Sequence, residues 1–155
     1  TTEIYTLSLH DALPILFDKS TLSKDIVLGV VLAGASSVIS LFSLIVMRGR
    51  TDLAFGGWDR LTVSEIVLMA ISLGIVSGIC KEIFFRGFAK NFCAGVLGET
   101  TALLLFNMMF GLLDWFNMGH SLWIWGYKKG KHLIVPMIAH SGMNLISVVF
   151  YIITL

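Results

Sequence analysis

Charged residues are scarce in this sequence. Asp, Glu, Lys and Arg together account for 14% of the 155 residues, against roughly 25% in soluble globular domains. The 11 basic and 10 acidic residues nearly cancel and form no long basic stripe, so the chain lacks the electrostatic footprint of a nucleic-acid-binding protein. Its expected partners therefore do not include nucleic acid.

Cysteine is also rare. Cys80 and Cys93 are the two cysteines of the sequence, which is too few for a disulfide framework or a four-cysteine zinc site. Both lie in or beside apolar stretches, and a free cysteine behaves as a small hydrophobe. We interpret both as packing residues.

Apolar residues, in contrast, are abundant. They make up 56% of the chain, and with so little charge this share argues against intrinsic disorder and against an ordinary soluble enzyme. The length suits one domain, which we predict to span residues 16–155. The composition predicts an all-α fold, a polytopic bundle of transmembrane helices in contact with the lipid bilayer.

The first two predicted spans have clear boundaries. Residues 26–47 carry no charge and, at ~1.5 Å per helical residue, would extend ~33 Å, enough to cross the hydrocarbon core. The second run begins near Ile66, after residues 62–65 (Thr-Val-Ser-Glu) in the form of a capping box, which predicts a helix start near Thr62. This run reaches Lys81-Glu82, a charged pair that we place at or near the buried end of the helix.

Two further runs bring the prediction to about four spans. They are the short stretch 102–113, which continues toward Trp125, and residues 133–155. With four spans, the lysines and arginines divide almost evenly between the two sides, so they predict no orientation. Gly74 and Gly78 in the second run are interpreted as positions of close helix packing.

Residues 1–15 form a segment that we predict to be non-native. The stretch from Tyr5 to Ile15 (YTLSLHDALPI) lacks the basic start and the continuous apolar centre of a signal peptide. It resembles the translated read-through of a sequencing adapter. On this hypothesis the native chain begins near Leu16, and His10 and Asp11 have no function.

Three polar constellations lie in the apolar runs, where ionisable residues are costly and usually mark a functional site. Glu82 and Arg86 are spaced i, i+4 on one helix face, with the acidic residue first, the favourable order for an ion pair. His140 and Asn144 have the same spacing, and both side chains can donate hydrogen bonds to an oxyanion. Asp114 is a lone carboxylate that could act as a base if it is buried.

Each constellation also has a structural interpretation. An ion pair between Glu82 and Arg86 could close a helix end at the membrane interface. His140 and Asn144 could form hydrogen bonds that hold helices together. Asp114 could meet water where the short third helix ends. The spacing fits both kinds of interpretation.

Three motifs resemble those of a known family. They are EIFFRG at 82–87, FGLL followed by three residues and Asn at 110–117, and HSGMN at 140–144. In this order they are similar to the EExxxR, FxxxH and HxxxN motifs of the CPBP family, the CAAX-processing and bacteriocin-processing intramembrane endopeptidases, also called the Abi family. The resemblance covers roughly residues 62–155.

The resemblance implies a role for each matching residue. His140 and Asn144 would stabilise the oxyanion, Glu82 would be the second Glu of the first motif, and Arg86 would help to hold it. The implied reaction is hydrolysis of a peptide bond near the bilayer, in a peptide or membrane-protein substrate. The implied location is an integral membrane position, in the plasma membrane of a prokaryote.

The sequence departs from the family pattern at two positions. Lys81 stands where the family has its first Glu, and Asp114 stands where the second motif has His. A literal FxxxH, ending at His120, lies further along the chain. The stretch between Asp114 and His140 is also shorter than expected, by about one transmembrane helix.

These departures leave four hypotheses. The chain could be an endopeptidase in which Glu82, with Asp114 or His120, supplies a substitute base. It could be a non-catalytic member of the family with a bacteriocin-immunity or chaperone-like role. It could be a damaged record of an active enzyme, or an unrelated small membrane protein or transporter fragment. We expect no cofactor and no tightly bound zinc, because His140 plus carboxylates is a poor zinc set.

Overall fold

All the regular secondary structure in the part of the chain that the structure describes is helical. The computed structural model describes residues 18–48, 61–113 and 120–154. The helices in these ranges are α1 (Leu22–Arg48), α2 (Val63–Leu97), α3 (Glu99–Leu113), α4 (His120–Gly130) and α5 (Ile134–Thr154). The predicted all-α fold is therefore confirmed.

The predicted number of membrane spans is confirmed only in part. Two stretches of the described residues, Leu22–Ser43 in α1 and Val63–Leu97, are helical, long and apolar enough to cross a membrane. A shorter apolar helical stretch is Ile134–Phe150 in α5. The described residues thus support two candidate spans by length and composition, and the four spans remain a prediction.

Helix α2 begins as the sequence predicts but ends much later. The Thr62 hydroxyl accepts from the Glu65 backbone N–H, and the Glu65 carboxylate accepts from the Thr62 N–H at 2.7 Å, so the capping box is confirmed. The helix then continues past Lys81 and Glu82 to Leu97, where Gly98 adopts a φ of 80°, a conformation that favours glycine. The predicted helix end near Glu82 is wrong, because the chain has no helix-breaking residue there.

Two parts of α2 depart from regular α-helical hydrogen bonding. Ala70–Ser77 and Ile83–Ala89 are π-helical, and a short α-helical piece, Gly78–Glu82, separates them. π-Helical turns are rare in proteins, but those that do occur are often found at functional sites. Glu82 lies at the junction between the central α-helical piece and the second π-helical segment.

Helix α5 packs along α2 in the opposite direction. A Cβ atom added to Gly78 would lie 2.6 Å from the Ser141 hydroxyl oxygen, and one added to Gly74 would lie 2.7 Å from a methyl carbon of Leu145. Real Cβ atoms essentially never approach so closely. At Gly78 the Ser141 backbone nitrogen, 3.1 Å from the added Cβ, cannot rotate aside, whereas at Gly74 the end of the Leu145 side chain would have to move. The prediction of close packing at Gly74 and Gly78 is confirmed.

Helices that follow one another along the chain alternate in direction. Helix α3 returns along α2, and α4 returns along α1, with Trp123 hydrogen-bonded to Ser36. The starts of α1, α3 and α5 therefore lie at the same end of the bundle as the ends of α2 and α4. A small apolar core forms where these helices meet, and its buried members are Leu32, Trp123, Val135, Ala139 and Met143.

The outer surface of the bundle is apolar as well. Phe84, Phe88 and Phe92 recur every four residues along α2, and all three side chains are exposed. Large exposed apolar side chains also cover α1, including Val27 and Phe42. Contiguous apolar surface of this kind marks contact with a partner or a membrane, which agrees with the two candidate spans.

Candidate functional site

The polar site begins with an ion pair in the middle of α2. One guanidinium nitrogen of Arg86, Nη1, donates to Oε2 of Glu82. The i, i+4 spacing predicts this contact, and both side chains are buried. The pair does not close a helix end, because α2 continues to Leu97. Separating either partner would leave a buried charge, so the pair holds both side chains in place.

His140 from α5 contacts the same carboxylate. Its Nδ1 lies 3.2 Å from Oε1 of Glu82, and both residues are 0% exposed. Each carboxylate oxygen of Glu82 therefore has its own partner, Arg86 on one side and His140 on the other. In a neutral imidazole this contact favours the tautomer with the proton on Nδ1, which leaves a lone pair on Nε2.

An aromatic side chain from α4 covers His140. The Trp123 ring stacks on the imidazole with 4.6 Å between ring centroids. The indole N–H of Trp123 donates to the hydroxyl oxygen of Ser36 on α1 at 2.8 Å, and both residues are fully buried. The Arg86 guanidinium carbon also lies 5.9 Å from the centre of the Trp123 ring. Trp123 thus packs against two members of the polar site.

Helix α3 contributes Asn107. Its side-chain oxygen accepts from Nη2 of Arg86 at 2.9 Å, so the guanidinium bridges Glu82 and Asn107. The sequence reasoning missed Asn107, Trp123 and Ser36. Asn107 does have a detectable signal, since it is a polar residue inside the apolar run 102–113.

Asn144 lies apart from this cluster. Its side-chain amide donates to the backbone oxygen of Leu73 at 2.8 Å. Leu73 belongs to the π-helical segment Ala70–Ser77, so Asn144 supplies a donor where backbone hydrogen bonding is irregular. The structure therefore brings together Glu82, Arg86 and His140, whereas Asn144 contacts α2 about two turns before Glu82.

The buried polar face of α2 extends one turn beyond Arg86. Lys90 is buried, and its ammonium group donates to the Tyr127 hydroxyl at 3.2 Å and lies 3.4 Å from a carboxylate oxygen of Glu99. Glu82, Arg86 and Lys90 are spaced four residues apart, so one side of α2 presents all three to the bundle interior.

Comparison with protein families identifies the chain. A family model described as Rce1-like, type II CAAX prenyl endopeptidase, matches residues 63–146, more than half of the chain. The chain belongs to this family. The match confirms the resemblance to the CPBP family, and it contains the whole polar cluster except Ser36. Comparison with curated proteins and with solved structures gives no match.

Membership of the Rce1-like family establishes two general properties, a membrane location and a protease class. The family is membrane-embedded, and the two apolar helices of this chain agree with that location. The family is also one of proteases, so the chain carries a domain of the peptide-hydrolysing class. Helix α1 lies outside the matched residues, although Ser36 contacts the site from it.

The Rce1-like domain departs from the family motifs at Lys81 and Asp114. Lys81 replaces the first Glu and is half-buried beside Glu82 on α2. Asp114 lies outside the described residues, and His120 is described only as the first residue of α4. A contribution of Asp114 or His120 to the site therefore stays a prediction.

The donor set for a metal ion is small in this domain. Within residues 18–48, 61–113 and 120–154, no three His, Cys, Asp or Glu side chains come together to hold a metal. Glu82 and His140 would supply two donors, and Arg86 already occupies one oxygen of Glu82. A tight zinc site needs three good protein ligands, and the absence of zinc remains a prediction.

Proposed function

We propose that this chain is an intramembrane endopeptidase in which His140, oriented by Glu82, activates the hydrolytic water. The main support for the proposal is that one oxygen of the Glu82 carboxylate contacts Arg86 and the other contacts His140. A carboxylate that fixes one imidazole nitrogen leaves the other available as a base, which is the logic of many hydrolytic sites.

The reaction follows from these roles. Nε2 of His140 takes a proton from water while the water oxygen attacks the carbonyl carbon of the scissile peptide. The tetrahedral intermediate collapses as the C–N bond breaks, and the proton passes from His140 to the leaving amine. Glu82 stabilises the imidazolium that forms between these steps, and Arg86 holds the Glu82 side chain in place. Burial strengthens each of these interactions.

Asn144 takes the oxyanion role in this proposal. The family resemblance gives that role to His140 and Asn144 together, but here His140 contacts the carboxylate of Glu82. Asn144 lies one helical turn further along α5 and carries an amide donor. That donor would have to exchange the Leu73 carbonyl for the developing oxyanion when a substrate binds.

The substrate class we propose is a peptide or membrane-protein segment that reaches the site from the bilayer. Support comes from the apolar outer faces of α1 and α2 and from the burial of the polar cluster between helices. We propose the prokaryotic plasma membrane as the location and bacteriocin processing as one candidate role.

Cleavage by purified protein tests the proposal. The full chain is reconstituted in lipid vesicles and given quenched fluorescent peptides and membrane-protein substrates, with products identified by mass spectrometry. Removing a general base typically costs about 10²–10⁴ in rate, so His140→Ala should lower kcat/KM by about that factor. His132→Ala is the matched control, since His132 lies outside the site before α5, and it should leave kcat/KM unchanged.

A second candidate function is a non-catalytic role, in bacteriocin immunity or as a chaperone-like protein. Lys81 favours it, because this substitution removes the usual carboxylate of the chemical step and leaves the buried cluster intact. The two candidates differ in one outcome. If the wild-type protein cleaves a substrate and the His140→Ala and Glu82→Ala variants both cleave it as well, the proposed mechanism is eliminated. An immunity phenotype that survives His140→Ala, with no cleavage by wild type, establishes the second candidate.

A further inference from the structure

Helix packing gathers the exposed lysines at one end of the bundle. Gly130, the last residue of α4, is so close to α1 and α5 that an added Cβ would lie 3.3 Å from Asp25 and 2.6 Å from Val135. The end of α4 therefore lies beside the starts of α1 and α5. We call this region the lysine end, and its exposed lysines are Lys19, Lys24, Lys128, Lys129 and Lys131.

Acidic residues offset only part of this charge. Asp18 is exposed, and hydrogen bonds from Ser20 lower the pKa of its carboxyl group, so it is ionised at neutral pH. Asp25 is buried and accepts from the Thr21 hydroxyl at 2.9 Å. Glu99 is exposed and pairs with Lys90, a sixth lysine at this end. The described part of the lysine end thus carries six lysines against three carboxylates.

The opposite end has fewer basic residues. Helix α1 ends there at Arg48, and α2 begins there with Glu65 in its first turn. In the sequence, the connection 49–60 holds two arginines and two aspartates, and the connection 114–119 holds one aspartate. Among the described residues, the lysine end has six basic residues, and Arg48 is the one lysine or arginine that lies at the other end.

This distribution differs from the one that four alternating spans predict. Four alternating spans would place Lys128, Lys129 and Lys131 on the side opposite Lys19 and Lys24. Packing of α4 antiparallel to α1 instead brings all five lysines together. The difference arises because the stretch 102–125, predicted as one continued span, contains two helices, α3 and α4, that run in opposite directions.

We propose that the lysine end faces the cytoplasm and rests on the anionic phospholipid headgroups of the cytoplasmic leaflet. Lys and Arg concentrate on the cytoplasmic side of membrane proteins, and clustered basic residues bind anionic headgroups. Trp125 on α4 is half-exposed, and the Lys129 ammonium lies 4.7 Å from the centre of its ring. A tryptophan beside a lysine is typical of the membrane–water interface. The proposal does not depend on catalysis.

Cysteine labelling tests the orientation. In a background of Cys80→Ser and Cys93→Ser, Lys129→Cys places one thiol at the lysine end, and Ser64→Cys places one at the exposed start of α2. Bacterial spheroplasts expressing the full chain are treated with a membrane-impermeant maleimide. We expect labelling of the Ser64→Cys protein in intact spheroplasts and of the Lys129→Cys protein only after permeabilisation. The reverse pattern, or equal labelling of both, overturns the proposal.

Removal of the lysine charges tests the cause of the orientation. The triple substitution K128Q/K129Q/K131Q, made in the Ser64→Cys protein, should reduce its labelling in intact spheroplasts because part of the population inverts. The matched control R50Q/R60Q removes the two basic residues of the sequence that connects α1 to α2, and it should leave the labelling unchanged. Equal effects of the two changes overturn a role for the lysine end.

Lysine protection tests contact with lipid. The full chain in nanodiscs is acetylated with a water-soluble reagent, and modification of Lys128, Lys129 and Lys131 is measured by mass spectrometry. We expect slower acetylation in phosphatidylglycerol than in phosphatidylcholine, with the difference lost at high salt. If inorganic phosphate added to phosphatidylcholine nanodiscs protects equally, the lysines bind free anions and the lipid contact is overturned. Equal acetylation rates in the two lipids would also overturn the lipid contact.

Discussion

At the scale of single residues, the position of His140 depends on a side chain from a helix outside the matched family segment. Ser36 on α1 accepts from the indole N–H of Trp123, and Trp123 stacks on His140. Because Ser36 and Trp123 are fully buried, the indole has no water to replace a lost partner. We infer that Ser36 and Trp123 are positioning residues for the imidazole.

Substitution of Ser36 tests this positioning. Ser36→Ala would leave a buried indole donor without its acceptor, at a cost of about 1–3 kcal/mol in the free energy of unfolding. In an active preparation kcat should fall while KM stays unchanged, because the imidazole shifts and the binding surface does not. Ser37→Ala is the matched control, since Ser37 donates to the Ala33 backbone oxygen within α1 and should change stability by less than about 0.5 kcal/mol. Equal effects of the two substitutions would contradict the positioning role.

The buried ion pair gives a second prediction at this scale. Glu82→Gln removes the charge that compensates Arg86, and breaking a buried pair costs about 3–5 kcal/mol. Unfolding in lipid nanodiscs, followed by heat or denaturant, measures the loss. The double variant Glu82→Gln with Arg86→Met should recover much of the stability, because neither member of the pair then carries a charge. A double variant as unstable as the single one would show that the guanidinium charge is not the cause.

Sequence spacing could predict contacts within one helix but not those between helices. The Glu82–Arg86 contact follows from the geometry of one helix. The contacts of His140 with Glu82 and Trp123 depend on the axial offset between neighbouring helices. The spacing of residues within one helix does not determine this offset. The predicted pairing of His140 with Asn144 as two oxyanion donors reflects their shared helix face, whereas the structure gives them different partners.

At the scale of elements, the contact between α2 and α5 depends on small residues. Gly78→Ala would place its Cβ 2.6 Å from the Ser141 hydroxyl and 3.1 Å from the Ser141 backbone nitrogen. The helices would have to separate, since a backbone atom cannot rotate away as a side chain can. Overpacking of this kind costs about 1–3 kcal/mol. The displacement would also widen the distance between Glu82 and His140 one turn further along the interface.

Gly95 provides a matched control for Gly78. It lies near the end of the same helix, and a Cβ added there would meet nothing within 4 Å. Gly95→Ala should therefore raise the free energy of unfolding, by up to about 1 kcal/mol, because alanine favours the helix. Thermal unfolding of both variants in the same lipid measures the difference. Stabilisation by both substitutions would mean that α2 and α5 pack less closely than the structure shows.

The two ends of α2 show which helix boundary a local sequence pattern can predict. The capping box predicts the helix start correctly, because it is a local pattern of hydrogen bonds. The predicted end near Lys81 and Glu82 is wrong, because a charged pair does not end an apolar helix when neighbouring helices supply polar partners. Polar partners from α5 and α3 satisfy Glu82 and Arg86 inside the bundle, so the helix can continue through them.

At the scale of the whole molecule, α1 extends the bundle beyond the matched family segment. Residues 63–146 match the family model, yet Leu32 in α1 belongs to the apolar core and Ser36 contacts Trp123. A bundle without α1 would expose these contacts to lipid or water. The functional unit we propose is therefore the single domain 16–155 rather than the matched segment alone.

Two truncations test where this domain begins. Deletion of residues 1–15 should leave the unfolding midpoint unchanged, because the non-native segment predicted there contributes nothing to the fold. Deletion of residues 1–48 removes Leu32 and Ser36, and losing one buried leucine side chain alone costs about 2–5 kcal/mol. Unfolding of both truncated proteins in the same nanodiscs compares them with the full chain. A destabilised first variant would show that residues 1–15 pack on the bundle, and a second variant as stable as the full chain would make α1 dispensable. Only the combination of a neutral first deletion and a damaging second one agrees with a domain that starts near Leu16 and needs α1 to hold His140.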